Sequence, residues 1–142
     1  MGGSVYRWVD HTAELELELE GPTEREVLSD ALDAFRELLE GDETAVLTQL
    51  DDDRLERRTV RATAADRPAL LAAWLQELLF LSELEAFIPL AVEQLLLEDG
   101  ALKAIVAGHV GEPRPLVKAV TYHRLQFEPS ERGYRARVVF DV

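Results

Sequence analysis

The stretch Glu14-Leu15-Glu16-Leu17-Glu18-Leu19-Glu20 alternates acidic and apolar residues without interruption. Because successive side chains of a β-strand point to opposite faces, this period of two predicts a strand. Its leucines face a core, and its glutamates face water. Another strand is expected just before it, over residues 5–9. The fold is therefore predicted to open on a strand that has one wet face.

Two helices are predicted farther along the chain. Thr23-Glu24-Arg25-Glu26 has the form of a capping box, in which the Thr23 hydroxyl accepts from the Glu26 amide. Apolar residues follow at helical spacing, and Gly41 is a suitable left-handed stop. The second helix opens at Asp66 and Pro68, since proline is tolerated in a first turn. Its apolar stripe comprises Leu70, Leu71, Trp74, Leu75, Leu78 and Leu79.

The rest of the chain has strand patterns. Strands are predicted over residues 55–64, 90–98, 101–110, 116–127 and 134–142, with turns at 51–53, 99–100 and 132–133. The resulting order is β-β-α-β-α-β-β-β-β. Strands that cluster after two helices predict an α+β domain, with a mixed or antiparallel sheet and the helices packed on it. No repeat or low-complexity tract divides residues 1–142, so we predict a single domain.

The composition narrows the classes of function. The 142 residues include 28 acidic and 15 basic ones, which gives a formal net charge of −13. That charge opposes unassisted binding to phosphate backbones, so no direct nucleic-acid binding is expected. It favours a basic partner or a bound cation, although solubility alone is the alternative explanation.

The sequence has no cysteine, which excludes disulfides, thiolate metal sites and a cysteine nucleophile. No signal peptide or apolar run of about 20 residues is present, so we expect a soluble, cytoplasmic protein without membrane contact. Phosphate loops, nucleophile elbows and basic stripes with aromatics are also missing. The three histidines lack the spacing of a zinc site.

The most informative acidic residues lie near the two ends of the chain. Asp10 and Glu14 flank a His-Thr-Ala step, Asp141 is penultimate, and Val142 carries the terminal carboxylate. Alternation places Asp141 off the apolar face of the last strand. Carboxylates this close together suit Ca²⁺ or Mg²⁺. Alternatively, Asp141 pairs with an arginine and the terminus binds nothing.

Four stretches of the chain together resemble the archease family. They are residues 6–14 (YRWVDHTAE), 71–81 (LAAWLQELLFL), 117–123 (VKAVTYH) and 138–142 (VVFDV), and they follow the family's order over nearly the whole chain. The resemblance implies a two-layer α/β sandwich and a non-enzymatic accessory protein. Archeases activate the RtcB-type RNA ligase of tRNA splicing, which uses GTP and Mn²⁺. They speed its guanylylation and sustain multiple turnover.

The resemblance also implies a set of site residues. The family's metal ligands match Glu14, Asp141 and Val142, with Asp10 as a neighbouring candidate. The expected cofactor is a divalent metal, calcium first, with magnesium or manganese as alternatives. The family usually has Asp where this chain has Glu14, which moves the oxygens outward.

Three further residues, His11, Lys118 and His123, are candidates for contact with the ligase. Two alternative functions remain open at this stage. One is a metal-dependent hydrolase that uses Asp10, Glu14 and Asp141, although no general base or nucleophile with a separate role is evident. The other is a generic chaperone.

Overall fold

A computed structural model describes residues 5–40 and 54–142. Within these ranges the elements follow the predicted order and confirm the α+β class. They are β1 (Val5–His11), β2 (Glu14–Gly21), α1 (Glu24–Glu40), β3 (Glu56–Thr63), α2 (Arg67–Glu85), β4 (Phe87–Glu98), β5 (Ala101–Val110), β6 (Ala119–Ser130) and β7 (Gly133–Asp141). The predicted helix stop at Gly41 and the turn at 51–53 lie outside the described residues.

The strands are divided between two sheets. The four-stranded sheet has the order β1-β2-β7-β6, and the three-stranded sheet has the order β3-β5-β4. Each of these neighbouring pairs is antiparallel. The pairing of β2 with β7 joins segments from opposite ends of the chain.

Each helix packs against both sheets. α1 contacts β2 and β4, whereas α2 contacts β6 and β3. Thr23 caps α1 as predicted, because its Oγ1 accepts a hydrogen bond from the Glu26 N–H at 3.1 Å. Asp66 caps α2 by accepting from the Ala69 N–H at 2.9 Å. The packing of two helices on the sheets is thus confirmed.

The α2 helix carries buried residues around much of its circumference, among them Leu70, Leu71, Trp74 and Leu78. This distribution follows from its contacts with both sheets and with α1. Over residues 5–40 and 54–142, no helix is long and apolar enough to cross a membrane.

One hydrogen bond and two aromatic contacts connect elements in the interior. The buried Trp74 indole N–H donates to the Leu28 carbonyl at 2.9 Å and ties α2 to α1. The Phe140 ring lies 5.9 Å from the Phe35 ring and 6.0 Å from the Trp8 ring, between centroids. These rings connect β7 to α1 and to β1.

Three local predictions need correction. β6 begins at Ala119 and ends at Ser130, later at both ends than predicted. In the last hairpin Ser130 pairs with Gly133, so the turn residues are 131–132 and Gly133 opens β7. Glu16 lies on the outward face of β2 as alternation requires, but it is only 5% exposed. The Asp99-Gly100 turn is confirmed, with Gly100 at a φ of 77°.

The Trp74 contact generates a stability prediction. Trp74→Phe removes the hydrogen bond to the Leu28 carbonyl and leaves a void in a fully buried site. We expect a loss of about 2–3 kcal/mol in the free energy of unfolding, measured by urea denaturation. Trp8→Phe is the control, because Trp8 is half-buried, and it is expected to cost clearly less. Equal losses for the two variants would contradict this account.

Candidate functional site at the β1–β2 turn and the end of β7

The β1–β2 hairpin ends in a two-residue turn, Thr12 and Ala13, so that His11 pairs directly with Glu14. Ala13 has a φ of 60°, in the left-handed region. This conformation costs a non-glycine residue about 1 kcal/mol, and such strain is often found at functional positions. The turn sets His11 and Glu14 on one face at the end of the sheet.

Two of the predicted metal ligands are brought together by the sheet. Glu14 and Asp141 are directly opposite each other in the β2–β7 pair. Side chains at such positions share a face, with Cβ atoms about 4.5–5.5 Å apart. The Val142 N–H donates to the Ala13 carbonyl at 3.2 Å, which holds the end of the chain against the β1–β2 turn. The β2–β7 register therefore joins residues 127 positions apart in sequence.

Asp10 lies differently from the other candidates. It pairs with Leu15, and Leu15 pairs with Phe140, so this cross-strand row is one step from the row of Glu14 and Asp141. Adjacent rows point to opposite faces of a sheet. Asp10 is therefore placed on the opposite face from Glu14, at an exposed position.

The structure does not show the alternative in which Asp141 pairs with an arginine. Arg135 pairs with Glu128 at 3.5 Å, and Arg137 pairs with Glu16 at 3.4 Å. Asp141 has no ion pair within the described part of the chain. Within residues 5–40 and 54–142, neither the exposed Asp141 carboxylate nor that of Glu14 has a cationic partner.

The carboxylates of Glu14 and Asp141 are the type of ligand that a hard divalent cation binds. Carboxylate oxygens are what Ca²⁺ and Mg²⁺ prefer, and both ions accept water or backbone carbonyls as remaining ligands. Among the described residues, however, no group of three or more His, Cys, Asp or Glu side chains is arranged to hold a metal. The metal role of Glu14, Asp141, Val142 and Asp10 stays a prediction.

The three predicted partner contacts lie near the same end of the four-stranded sheet. Lys118 directly precedes β6, and its backbone N–H donates to the Asp141 carbonyl at 2.8 Å. Its side chain is exposed and has no ion pair among the described residues. His123 lies on β6 and is also exposed, whereas His11 lies on β1 opposite Glu14.

A cluster of ionisable side chains around the buried Glu16 lies next to this site and is not predicted from the sequence. Glu16 lies 3.3 Å from the His11 Nε2, 3.1 Å from an Arg124 guanidinium nitrogen and 3.4 Å from the Arg137 Nε. A buried carboxylate requires such compensation, because desolvation of an unpaired charge is costly. We call Glu16, His11, Arg124 and Arg137 the Glu16 cluster.

The sequence carries no local signal for this cluster. Within the alternation of β2, Glu16 cannot be told apart from its neighbours. Glu18, two residues on, is hydrogen-bonded to the Arg7 side chain at 2.6 Å, and this contact lowers the pKa of Glu18. Both carboxylates are thus paired with cations, in contrast to Glu14.

Comparisons with known proteins agree on one family. A model of the archease protein family (MTH1598/TM1083) matches residues 6–142. The chain is 32% identical to the protein archease of Methanosarcina mazei, over 99% of this chain and 97% of the relative. It is also 32% identical to the protein archease of Archaeoglobus fulgidus, over 96% and 98% of the two chains.

Two solved structures share the fold. Protein 1598 of Methanobacterium thermoautotrophicum aligns with a TM-score of 0.70 and 24% identity, over 96% of this chain and 98% of that one. An archease from Thermotoga maritima, described as a possible chaperone, aligns with a TM-score of 0.64 and 21% identity, over 94% of each chain. From the family match over nearly its full length and from these relatives, we conclude that this chain belongs to the archease family.

Proposed function

We propose that this protein is a non-enzymatic activator of the RtcB-type RNA ligase of tRNA splicing, acting in the cytoplasm. The observation that supports this best is the meeting of Glu14, Asp141 and Lys118 at one end of the four-stranded sheet. These residues come from three distant segments, each within a stretch that resembles the family. Their convergence supports a common role for residues that have no shared structural task in the core.

The activator acts on the ligase through differential affinity. A bound protein shifts a conformational equilibrium only as far as it prefers one state over the other. We propose that the Glu14–Asp141 end binds near the ligase cleft that holds RNA and GTP, which must be basic. The net charge of −13 favours that encounter. Binding then stabilises the ligase state that is competent for guanylylation.

A divalent cation is the proposed cofactor of this end, calcium in the first place. Glu14 and Asp141 would hold it, and the ion would supply a fixed positive charge between two carboxylates that have no cationic partner in the described part of the chain. Lys118, whose backbone N–H donates to the Asp141 carbonyl, has an exposed side chain that adds a second cationic group near this end. The end of the sheet would then present both charges to the ligase.

Of the alternatives, an accessory role as a chaperone has support in the description of the Thermotoga maritima archease. Activation of one folded partner is a specific form of such a role. The hydrolase hypothesis is weaker, because the register places Asp10 on the opposite face from Glu14 and Asp141. Three carboxylates on two faces of a sheet do not surround one reacting group.

The first prediction of this proposal is activation without catalysis. Substoichiometric amounts of the protein should speed guanylylation of the cognate ligase several-fold and permit repeated ligation. The protein alone should leave RNA and GTP unchanged. Transfer of radiolabelled GMP to the ligase and ligation of a broken tRNA measure the two effects. Ligase turnover that is the same with and without the protein would remove the basis for the proposal.

A second prediction concerns salt. Because the association is steered by opposite charges, the on-rate with the ligase should fall as ionic strength rises above about 0.1 M. Stopped-flow fluorescence at several salt concentrations measures this rate. Binding of tRNA to the protein alone should be undetectable under the same conditions. An on-rate indifferent to salt would contradict electrostatic steering.

The third prediction concerns the cation. If Glu14 and Asp141 bind Ca²⁺, an excess of about ten times the dissociation constant should stabilise the fold by about 1.4 kcal/mol, or roughly 4 °C in Tm. Asp141→Asn should abolish this rise and impair ligase activation. Its effect on the Tm without metal should be small, because Asp141 is exposed.

Glu20→Gln is the matched control, since Glu20 lies on the same face of β2 as Glu14 and is exposed. It should retain both the calcium response and ligase activation. Differential scanning fluorimetry with Ca²⁺, Mg²⁺ and Mn²⁺ ranks the metals. A calcium response that survives Asp141→Asn would disprove this site.

A further inference from the structure

The Glu16 cluster reaches across a whole strand. In the order β1-β2-β7-β6, Glu16 lies on β2 and Arg124 lies on β6, with β7 between them. Two strands that flank a common neighbour are separated by roughly 9–10 Å, a distance that extended arginine and glutamate side chains can bridge only together. An Arg124 nitrogen lies 3.1 Å from the Glu16 carboxylate. The Arg124 side chain therefore extends across the outward face of β7 to make this contact.

β6 departs from regular pairing with β7 near Arg124. Thr121 pairs with Val139, and the next pair is Gln126 with Arg137, so β6 advances five residues while β7 advances two. The surplus forms a large β-bulge over residues 122–125. Bulges redirect side chains and are frequent next to functional sites. Arg124 within it has a φ of 54°, a strained conformation for arginine.

The burial of Val139 supports this geometry. Val139 is the register partner of Glu16 on β7 and points to the outward face of the sheet, but it is fully buried. It is not a member of the main core cluster. Since Arg124 passes from β6 to Glu16, it crosses the sheet at the position of Val139. The bulge thus builds a small covered region on a face that is otherwise wet.

Two residues of the bulge are exposed. Tyr122 is 65% exposed, which is unusual for a large aromatic side chain, and His123 beside it is exposed as well. Arg124, which follows them, has a left-handed backbone conformation and is anchored by its ion pair with the buried Glu16. Stored strain and an exposed aromatic have no evident benefit for stability. We call Tyr122 and His123 the β6 spur.

We propose that the β6 spur is a docking element that inserts Tyr122 into an apolar-walled pocket of the partner ligase, and that Glu16 is its positioning residue. This inference rests on the proposed function and names the surface through which it operates. Tyrosine is enriched among residues that dominate interface energies, because its ring is large and rigid and its hydroxyl remains satisfied.

Charge favours a protein pocket over RNA as the occupant. An aromatic platform for single-stranded RNA needs free cations that follow the phosphates. Here Arg124 and Arg137 are both engaged by Glu16, and Lys118, which has no ion pair among the described residues, is a single charge that cannot follow a run of phosphates. The net charge of −13 adds repulsion for a polyanion. Binding of the tyrosine ring in an apolar pocket of a protein does not require free cations beside it.

The spur is continuous with the Glu14–Asp141 end. His11 belongs to the Glu16 cluster and is also the register partner of Glu14. The row of Glu16 and the row of Glu14 are two residues apart on β2, about 7 Å. A partner that covers the end of the sheet therefore reaches the spur as well, and one interface includes both.

The test measures affinity of the full-length protein for the intact ligase by isothermal titration, with ligation rates as a second readout. Tyr122→Ala should weaken binding by at least about tenfold, the range expected for a central aromatic anchor. Leu84→Ala is the matched control: Leu84 is an equally accessible apolar residue, 78% exposed, on α2. It should change affinity less than about twofold. If Tyr122→Ala binds as tightly as the native chain, the spur proposal is overturned, while activation itself stands.

The positioning role of Glu16 needs a double-mutant cycle. Glu16→Gln should weaken ligase binding severalfold, and adding Tyr122→Ala to it should cause little further loss. A purely structural role of Glu16 would give additive losses, which would overturn the positioning role. Should Glu16→Gln fail to fold, Arg124→Gln takes its place in the cycle, because Arg124 is exposed and carries the link from Glu16 to the spur.

Three further outcomes would each overturn all or part of the spur proposal. Binding of single-stranded RNA by the protein alone, lost in Tyr122→Ala, would overturn the choice of a protein pocket. If the native chain neither binds nor activates the ligase, the proposed function fails and the spur proposal fails with it. Loss of activation in Asp141→Asn but not in Tyr122→Ala would separate the two ends of the interface and reject the spur alone.

Discussion

The antiparallel pairing of β2 with β7 is the constraint on which the rest of the molecule depends. Its register sets Leu17 against Val138 and Leu15 against Phe140 on the core face. Leu17, Val138 and Phe140 are completely buried, and each such side chain contributes about 1.5–3 kcal/mol relative to exposure. A slip by one residue would turn all of them to the outward face. The register is therefore strongly specified by the apolar face.

The side chains on the outward face do not determine this register, but they are positioned by it. Once Leu15 opposes Phe140, Glu14 must oppose Asp141 and Glu16 must oppose Val139. Burial of the apolar face sets the alignment of β2 with β7, and this alignment fixes the positions of the acidic side chains on the other face. The candidate functional residues thus need no favourable contact among themselves in order to meet. This explains how Glu14 and Asp141, which have no ion pair among the residues that the structure describes, are adjacent at the end of the sheet.

The carboxylates on the outward face of the sheet fall into two groups, those with ion pairs and those without. Glu16 and Glu18 are neutralised locally by arginines, as expected for carboxylates on a strand next to cationic neighbours. Among the described residues Glu14 and Asp141 at one end of the sheet have no ion pair, and neither has Glu20 at the other end of β2. The ion pairs thus lie in the middle of this face. The proposed cation and the proposed ligase contact both belong to the Glu14–Asp141 end, and the Glu16 cluster lies beside it.

Much of this protein was determined by sequence alone. Alternation identified β2, and capping residues and apolar spacing identified both helices, because these signals are local. Ala101–Val110 matched its predicted strand, and the other predicted strands were found with shifted ends. The stretches that resemble the family identified Glu14, Asp141 and Lys118 as candidates, because a family motif can be recognised in the sequence even when its residues are far apart along the chain. The division into two sheets was not predicted, because strand pairing depends on long-range contacts that no local pattern encodes.

Only the tertiary structure decided which candidates share a surface. It placed Glu14 beside Asp141, and it set Asp10 on the opposite face, which linear proximity to Glu14 did not suggest. It also buried Glu16, although an alternating strand predicts an exposed glutamate there. Its carboxylate is surrounded by His11, Arg124 and Arg137, and Arg124 comes from the bulged segment 122–125 of β6. A surplus in one strand is defined only relative to its partner, so it exists only once β6 and β7 have paired.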